Sequence, residues 1–124
     1  MFKIDEDLTI HITRGDTANI DVQANADGEN YVFRTGDVIR FQVFTKKDCE
    51  SIVLLKDVTV QESTDTVHVV LTGEDTKIGG IINKPVDYWY EVELNPDTQP
   101  QTIIGYDEDG SKVFRLYPEG GEHQ

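Results

Sequence analysis

Histidine, cysteine and clustered carboxylates are the side chains of this chain that could bind a metal ion or activate a nucleophile. His11, His68 and His123 lie far apart in the sequence, and Cys49 is the single cysteine, so no disulfide can form within the chain. These residues do not have the ligand spacing of a zinc site. Cys49 also lies between two acidic residues, which disfavour the reactive thiolate. We therefore predict neither a metal site nor a cofactor.

An acidic turn at Asp107–Gly110, with the sequence DEDG, is the other candidate for metal chemistry. Its glycine comes two positions too early for an EF-hand loop, and Pro118 occupies the position of the final glutamate. We predict a solvated hairpin turn instead. No serine lies in a G-x-S-x-G motif, and no glycine-rich loop precedes a helix. We accordingly predict no catalytic residues and no enzymatic activity.

Two Gly-Asp pairs, at Gly15-Asp16 and Gly36-Asp37, invite two different interpretations. The first belongs to Arg14-Gly15-Asp16, the tripeptide of integrin ligands, and the second to the segment RTGD. Each pair precedes a run of alternating apolar residues, where a tight turn would enter a strand. Glycine accommodates positive φ in such a turn, and aspartate can accept hydrogen bonds from nearby backbone amides. We predict that all four residues are structural turns rather than an adhesion motif.

The charge of the chain limits its partners. The 24 acidic and 11 basic residues give a formal net charge of -13 and an isoelectric point near 4.4. Such a chain repels phosphate backbones and anionic lipids, so we predict no nucleic-acid partner and no membrane partner. The opening residues, MFKIDEDLTIH, contain no apolar segment of the signal-peptide type. We therefore expect synthesis in a cytoplasm.

Apolar residues alternate with polar residues along most of the chain, which is typical of β-strands with one buried face. The strongest run is VDYWYEVEL, which places Val86, Tyr88, Tyr90, Val92 and Leu94 on one face. We predict an all-β, immunoglobulin-like antiparallel β-sandwich of seven to eight strands, with a small β-barrel as the alternative. GEDTKIGG is the one segment that favours a helical turn. A single domain is predicted over residues 1–118, with a flexible C-terminal tail over residues 119–124.

Trp89 breaks the polar face of that strongest strand. Strand alternation turns it away from the core, and Phe44 and Val38 occupy the outward side of their own strand. An outward tryptophan can be a hot spot for a protein partner or a stacking surface for a sugar. The alternatives are that a neighbouring loop covers Trp89, and that a bulge shifts Phe44 and Val38 into the core. We take Trp89 and Phe44 as a candidate interaction surface.

The order of the motifs resembles a known family. ITRGDT (Ile12–Thr17) is followed by TGDVIRFQV, then VVLTGEDT, then YWYEVEL and a closing TIIG segment. Over roughly Leu8 to Pro118 this order is similar to that of the N-terminal domain of the baseplate upper protein of phages of Gram-positive hosts. The chain departs from the family at Asn83–Val86, where the family usually has a glycine before the aromatic strand.

The resemblance implies a non-enzymatic structural protein of a phage or prophage tail or baseplate. Its partners would be other tail or baseplate proteins, with a homo-oligomer as a further possibility, and its location would be the virion tail. The alternative function is a glycan-binding or cell-surface-recognition β-sandwich that uses Trp89. No individual binding residue is implied by the resemblance.

Overall fold

A computed structural model describes residues 1–26, 28–46, 51–105 and 110–119 of the chain. These residues form eleven β-strands and one short helix. The strands are β1 (Phe2–Ile4), β2 (Ile10–Thr13), β3 (Ala18–Val22), β4 (Asn25–Ala26), β5 (Glu29–Asn30), β6 (Val38–Phe44), β7 (Ile52–Thr59), β8 (Val67–Leu71), β9 (Val86–Leu94), β10 (Gln101–Ile104) and β11 (Lys112–Tyr117), and the helix α1 is Gly73–Thr76.

Seven strands form one large sheet in the order β1-β2-β11-β9-β6-β7, with β10 also paired to β9. β3 and β8 form a second, antiparallel sheet, and β4 and β5 form a small hairpin. β1 and β7 end the large sheet and do not pair with each other, so the sheet is open. The all-β sandwich prediction is therefore confirmed, and the barrel alternative does not apply.

The large sheet is mixed rather than purely antiparallel, because β11 runs parallel to β2. Alternation of apolar and polar residues is the same in both kinds of pairing, so the sequence pattern does not distinguish them. The predicted number of strands is also too low. β1, β4 and β5 have two or three residues each, which is too short for a periodic pattern.

The strands before and after the predicted hairpin at Asp107–Gly110 are not paired with each other in the described part of the chain. β10 and β11 both run antiparallel to β9, with β10 opposite Val92–Leu94 and β11 opposite Val86–Tyr90. They are successive parts of one return path along the same side of β9. Residues 106–109 lie outside the described part of the chain.

The hydrophobic core lies between the two sheets. Val22 and Val69 of the small sheet belong to the same buried cluster as Phe41, Val92 and Phe114 of the large sheet, and each of these five side chains is fully buried. Burying a side chain of this size contributes about 1.5–3 kcal/mol relative to leaving it exposed. Because the core residues recur at every second position, each strand turns its other face to the surface or to a loop.

The first Gly-Asp pair forms a turn between β2 and β3. The Asp16 N–H donates to the Thr13 carbonyl at 3.0 Å, and Gly15 has φ +90°, which L side chains rarely adopt. The Arg14 side chain is buried, and its guanidinium donates to the Gly79 carbonyl at 3.0 Å. The Arg-Gly-Asp tripeptide is thus folded into the protein rather than displayed to a receptor.

The Thr76 hydroxyl joins this turn to α1. It accepts a hydrogen bond from the Gly15 N–H at 2.9 Å and donates to the Asp16 carbonyl at 2.8 Å. Thr76 is fully buried. α1 begins with a capping box, in which Thr72 accepts from the Asp75 N–H and Asp75 accepts from the Thr72 N–H. This short helix is the helical turn predicted in GEDTKIGG, and it ends before Gly79.

The second Gly-Asp pair forms a similar turn before β6. The Asp37 N–H donates to the Arg34 carbonyl at 3.0 Å, and Gly36 has φ +95°. The Asp37 carboxylate accepts hydrogen bonds from the Arg34 N–H at 2.9 Å, the Asn95 amide at 3.2 Å and the Tyr31 hydroxyl at 3.2 Å. A polar side chain from a distant segment therefore secures each turn, Thr76 the first and Asn95 the second.

Replacing Thr76 by valine keeps the shape of the side chain and removes its hydroxyl. We expect Thr76→Val to lower the free energy of unfolding by about 1–3 kcal/mol, because it leaves the Gly15 N–H and the Asp16 carbonyl without their partner. Urea denaturation would measure the change. Thr59→Val is the matched control, since Thr59 lies exposed on β7. Equal stability of the two variants would show that the hydrogen bonds of the Thr76 hydroxyl do not stabilise the fold.

Asp37→Asn should destabilise the protein at neutral pH and much less in acid. Burial raises the pKa of the Asp37 carboxyl, but hydrogen bonds from Arg34, Asn95 and Tyr31 outweigh burial and hold that pKa below its ordinary value. The resulting stability is present above the unfolded-state pKa of about 3.9 and is lost as the pH falls through the folded-state pKa. Urea unfolding of wild type and variant at several pH values measures this. A difference that stays constant down to about pH 2.5 would rule out the linkage.

Candidate interaction surface

The outer face of the large sheet carries the residues that the sequence singled out. In β6, Phe41 and Val43 are fully buried in the core, so strand alternation turns Gln42 and Phe44 to the opposite face. Trp89 of β9 is the register partner of Phe44. The two predicted residues are therefore brought together on the face that points away from the core.

A row of apolar side chains crosses this face over four neighbouring strands. Phe44 is paired with Ile52 on one side and with Trp89 on the other, and Trp89 is paired with Val113. Two further apolar residues of β7, Val53 and Leu55, are exposed next to the row. We call this set the apolar strip: Val113, Trp89, Phe44, Ile52, Val53 and Leu55.

The exposed part of the apolar strip lies on β7. Phe44 has 4% of its surface exposed and Trp89 is half-buried, whereas Ile52, Val53 and Leu55 are 52%, 40% and 45% exposed. Phe44 is thus not presented for direct contact, although it lies outside the main core cluster. The register of β6 and β7 shifts next to it, between Val43 and Phe44. The exposure of the three β7 residues could not be predicted from the sequence, because an apolar run such as IVLL is equally typical of a buried strand.

β7 is also an edge of the large sheet. It pairs with β6 and has no second strand neighbour among the described residues, so one side of its eight-residue backbone retains free N–H and C=O groups. Proteins often protect such an edge with charges, and Lys56 is a charge on this strand. However, the Lys56 ammonium is bound to the Asp75 carboxylate at 2.7 Å. The edge therefore combines unpaired backbone groups with exposed aliphatic side chains.

Ion pairs flank the apolar strip on two sides. Arg40 donates to Asp57 at 2.8 and 3.0 Å and lies 3.3 Å from Asp97, and on the other side Arg115 donates to Asp87 at 2.7 Å. Hydrogen bonding to Asp57 raises the pKa of Arg40, and hydrogen bonding to Asp87 raises that of Arg115. A partner that covers the strip meets charges that are already paired within the protein.

His11 lies on the same outer face and is buried. Its Nε2 lies 2.7 Å from the Asp5 carboxylate, and its Nδ1 lies 2.8 Å from the Tyr117 hydroxyl. The imidazole is thus held between a carboxylate and a phenol, each within hydrogen-bond distance. It connects β2 to β11 and to the loop after β1. The sequence showed only that the histidines lie far apart, and it contained no signal for these long-range partners of His11.

The remaining candidates for metal chemistry do not form a cluster. His68 is exposed and pairs with Asp21 at 2.6 Å. His123, Cys49 and residues Asp107–Asp109 lie outside the described residues. Within the described ranges, no group of three or more His, Cys, Asp or Glu residues is arranged to hold a metal ion. No helix of the described chain is long and apolar enough to cross a membrane.

Comparisons with known proteins identify no relative for this arrangement. No protein-family model, curated protein or solved structure matches the chain.

Two variants compare the contribution of the buried His11 to stability with that of the exposed His68. We expect His11→Leu to lower the free energy of unfolding by about 1–3 kcal/mol, because it leaves Asp5 and Tyr117 without their partner. His68→Leu should change the free energy of unfolding by less than about 0.5 kcal/mol, since the side chains of both His68 and Asp21 are exposed. Urea denaturation measures both. Similar losses for the two variants would show that the His11 network adds no stability of its own.

Proposed function

We propose that this chain is a non-enzymatic assembly module of a phage or prophage tail or baseplate, which attaches to a neighbouring protein through the apolar strip and the open edge of β7. The observation that carries the proposal is the coincidence of the two features. Ile52, Val53 and Leu55 are exposed on β7, a strand that ends the large sheet and has no second partner strand among the described residues. A strand added to β7 would satisfy those groups and cover the three side chains together.

Electrostatics favours a different protein over a second copy as the partner. Two chains that each carry a formal charge of -13 repel one another at low ionic strength. The proposed partner therefore contributes an apolar strand whose surroundings are neutral or basic. Because Arg40 and Arg115 beside the apolar strip are already paired, apolar burial and backbone hydrogen bonds would supply most of the affinity.

The tail or baseplate location rests on the resemblance in motif order. Two of its motifs, ITRGDT and VVLTGEDT, contain the two segments that the Thr76 hydroxyl joins. These two motifs are thus in direct contact in this chain, which supports interpreting their order as part of the signature of one fold.

The proposal can be tested in purified tails of the phage or induced prophage that encodes the chain. An immunoblot should detect the wild-type protein in these particles. Ile52→Lys combined with Leu55→Lys should reduce its incorporation at least about tenfold, because two charges would be buried against the partner. Val70→Lys is the matched control, since Val70 is 53% exposed on β8, which belongs to the other sheet.

Three outcomes would count against the proposal. Absence of the wild-type protein from purified tails would contradict the proposed location in the tail. Equal loss of incorporation for Val70→Lys would show that the apolar strip has no specific role in attachment. Sedimentation could show that the wild-type protein is a dimer and that the Ile52 and Leu55 changes dissociate it. In that case the partner would be a second copy of the chain rather than a different protein.

A further inference from the structure

A cavity of about 400 Å³ lies at one end of the sandwich, apart from the apolar strip. Its walls come from β4, the segment around Tyr31, the turn after β9, and β10. Its volume is within the range of about 300–1,000 Å³ that is usual for small-molecule sites. None of the six residues of the apolar strip lines it, so its occupancy is independent of the proposed assembly role.

The described walls of the cavity carry no charged side chain. This is unusual in a chain in which 24 of 124 residues are acidic. The polar side chains that line it are mainly carboxamides, from Asn25, Asn95, Gln99 and Gln101. A carboxamide both donates and accepts hydrogen bonds, and so does a sugar hydroxyl. The lining therefore matches a neutral ligand that is rich in hydroxyl groups better than an anion or a cation.

Three of these carboxamides are available to a ligand. Among the described residues, the side chains of Asn25, Gln99 and Gln101 have no hydrogen-bond partner, and all three are exposed to solvent. Asn95 differs from them, because its Oδ1 accepts from the Val38 N–H at 2.9 Å and its Nδ2 donates to Asp37. Asn95 thus forms a fixed wall, while the other three can bind hydroxyl groups.

Tyr31 supplies an aromatic surface in a fixed position. Its hydroxyl donates to Asp37 at 3.2 Å, and its ring packs edge-on against Phe33 with centroids 5.1 Å apart. Leu94 and Ile103 add apolar surface to the same cavity. The ring of a sugar has an apolar C–H face as well as polar edges, so an aromatic side chain beside carboxamides suits both of its surfaces.

We propose that this cavity is a binding site for a neutral saccharide of one or two rings, with Asn25, Gln99 and Gln101 as hydrogen-bonding residues and Tyr31 as the packing surface. The ligand class follows from the uncharged lining, the unpartnered carboxamides and the fixed aromatic ring. The site differs from one centred on Trp89, which lies on the outer face of the large sheet and does not line the cavity.

Titration of the ¹⁵N-labelled protein with maltose, lactose and N,N′-diacetylchitobiose tests this proposal. At least one of these sugars should shift the side-chain NH₂ signals of Asn25, Gln99 and Gln101, with a dissociation constant in the millimolar range. Gln99→Ala and Gln101→Ala should each weaken binding about fivefold, which is the usual effect of losing one hydrogen bond. Gln61→Ala is the matched control, because Gln61 is exposed and does not line the cavity.

Several results would overturn the proposal. If none of the three sugars shifts a signal of the folded protein, the cavity is not a saccharide site. Shifts centred on the Trp89 indole signal would place sugar binding on the outer face instead. Equal binding of glucuronate would contradict the neutral ligand class. Equal weakening by Gln61→Ala would show that the two cavity glutamines do not contact the sugar.

Discussion

The two hydrogen bonds of the Thr76 hydroxyl are the interaction on which the connection between the two sheets depends. The hydroxyl is fully buried and bonds to both sides of the Gly15-Asp16 peptide unit, so it fixes the turn that carries the chain from the large sheet to the small one. Without that turn, β2 and β3 would not face each other across the core. A buried hydroxyl with two backbone partners is also specific, because no apolar side chain can replace its hydrogen bonds. One small polar group thus holds together two segments that are 60 residues apart.

Asn95 has a comparable role at the opposite end of the sandwich, and there the fold and the candidate ligand site meet. Its backbone has positive φ at 49°, its N–H donates to the Val38 carbonyl, and its side chain binds both Asp37 and the Val38 N–H. The same residue forms a wall of the cavity. The contacts that anchor the second Gly-Asp turn therefore also shape the cavity, and a ligand there would bind a surface that the fold already holds in place.

The sequence predicted the layers of the fold better than their connections. Alternating residues in VDYWYEVEL and VIRFQVF predicted which side chains enter the core, because burial follows directly from strand periodicity. They could not predict that β11 lies parallel to β2, or that β10 and β11 share one side of β9, since strand pairing depends on distant segments. The same limit applies to the surface. Trp89 could be identified from its place among charged residues, whereas Ile52 and Leu55 became notable only when β7 proved to be an edge strand.

The position of β11 has a consequence for how the protein folds during synthesis. β11 lies between β2 and β9, so the large sheet has a gap at its centre until residues 112–117 have left the ribosome. Before that point, β2 lacks its parallel neighbour and most of β9 lacks one side of its hydrogen bonds. Pairing of segments about 100 residues apart in the chain is slow, because a long loop must close before any contact stabilises it. The large sheet therefore stays open and vulnerable to aggregation until β11 has been made, and it then closes in one late step.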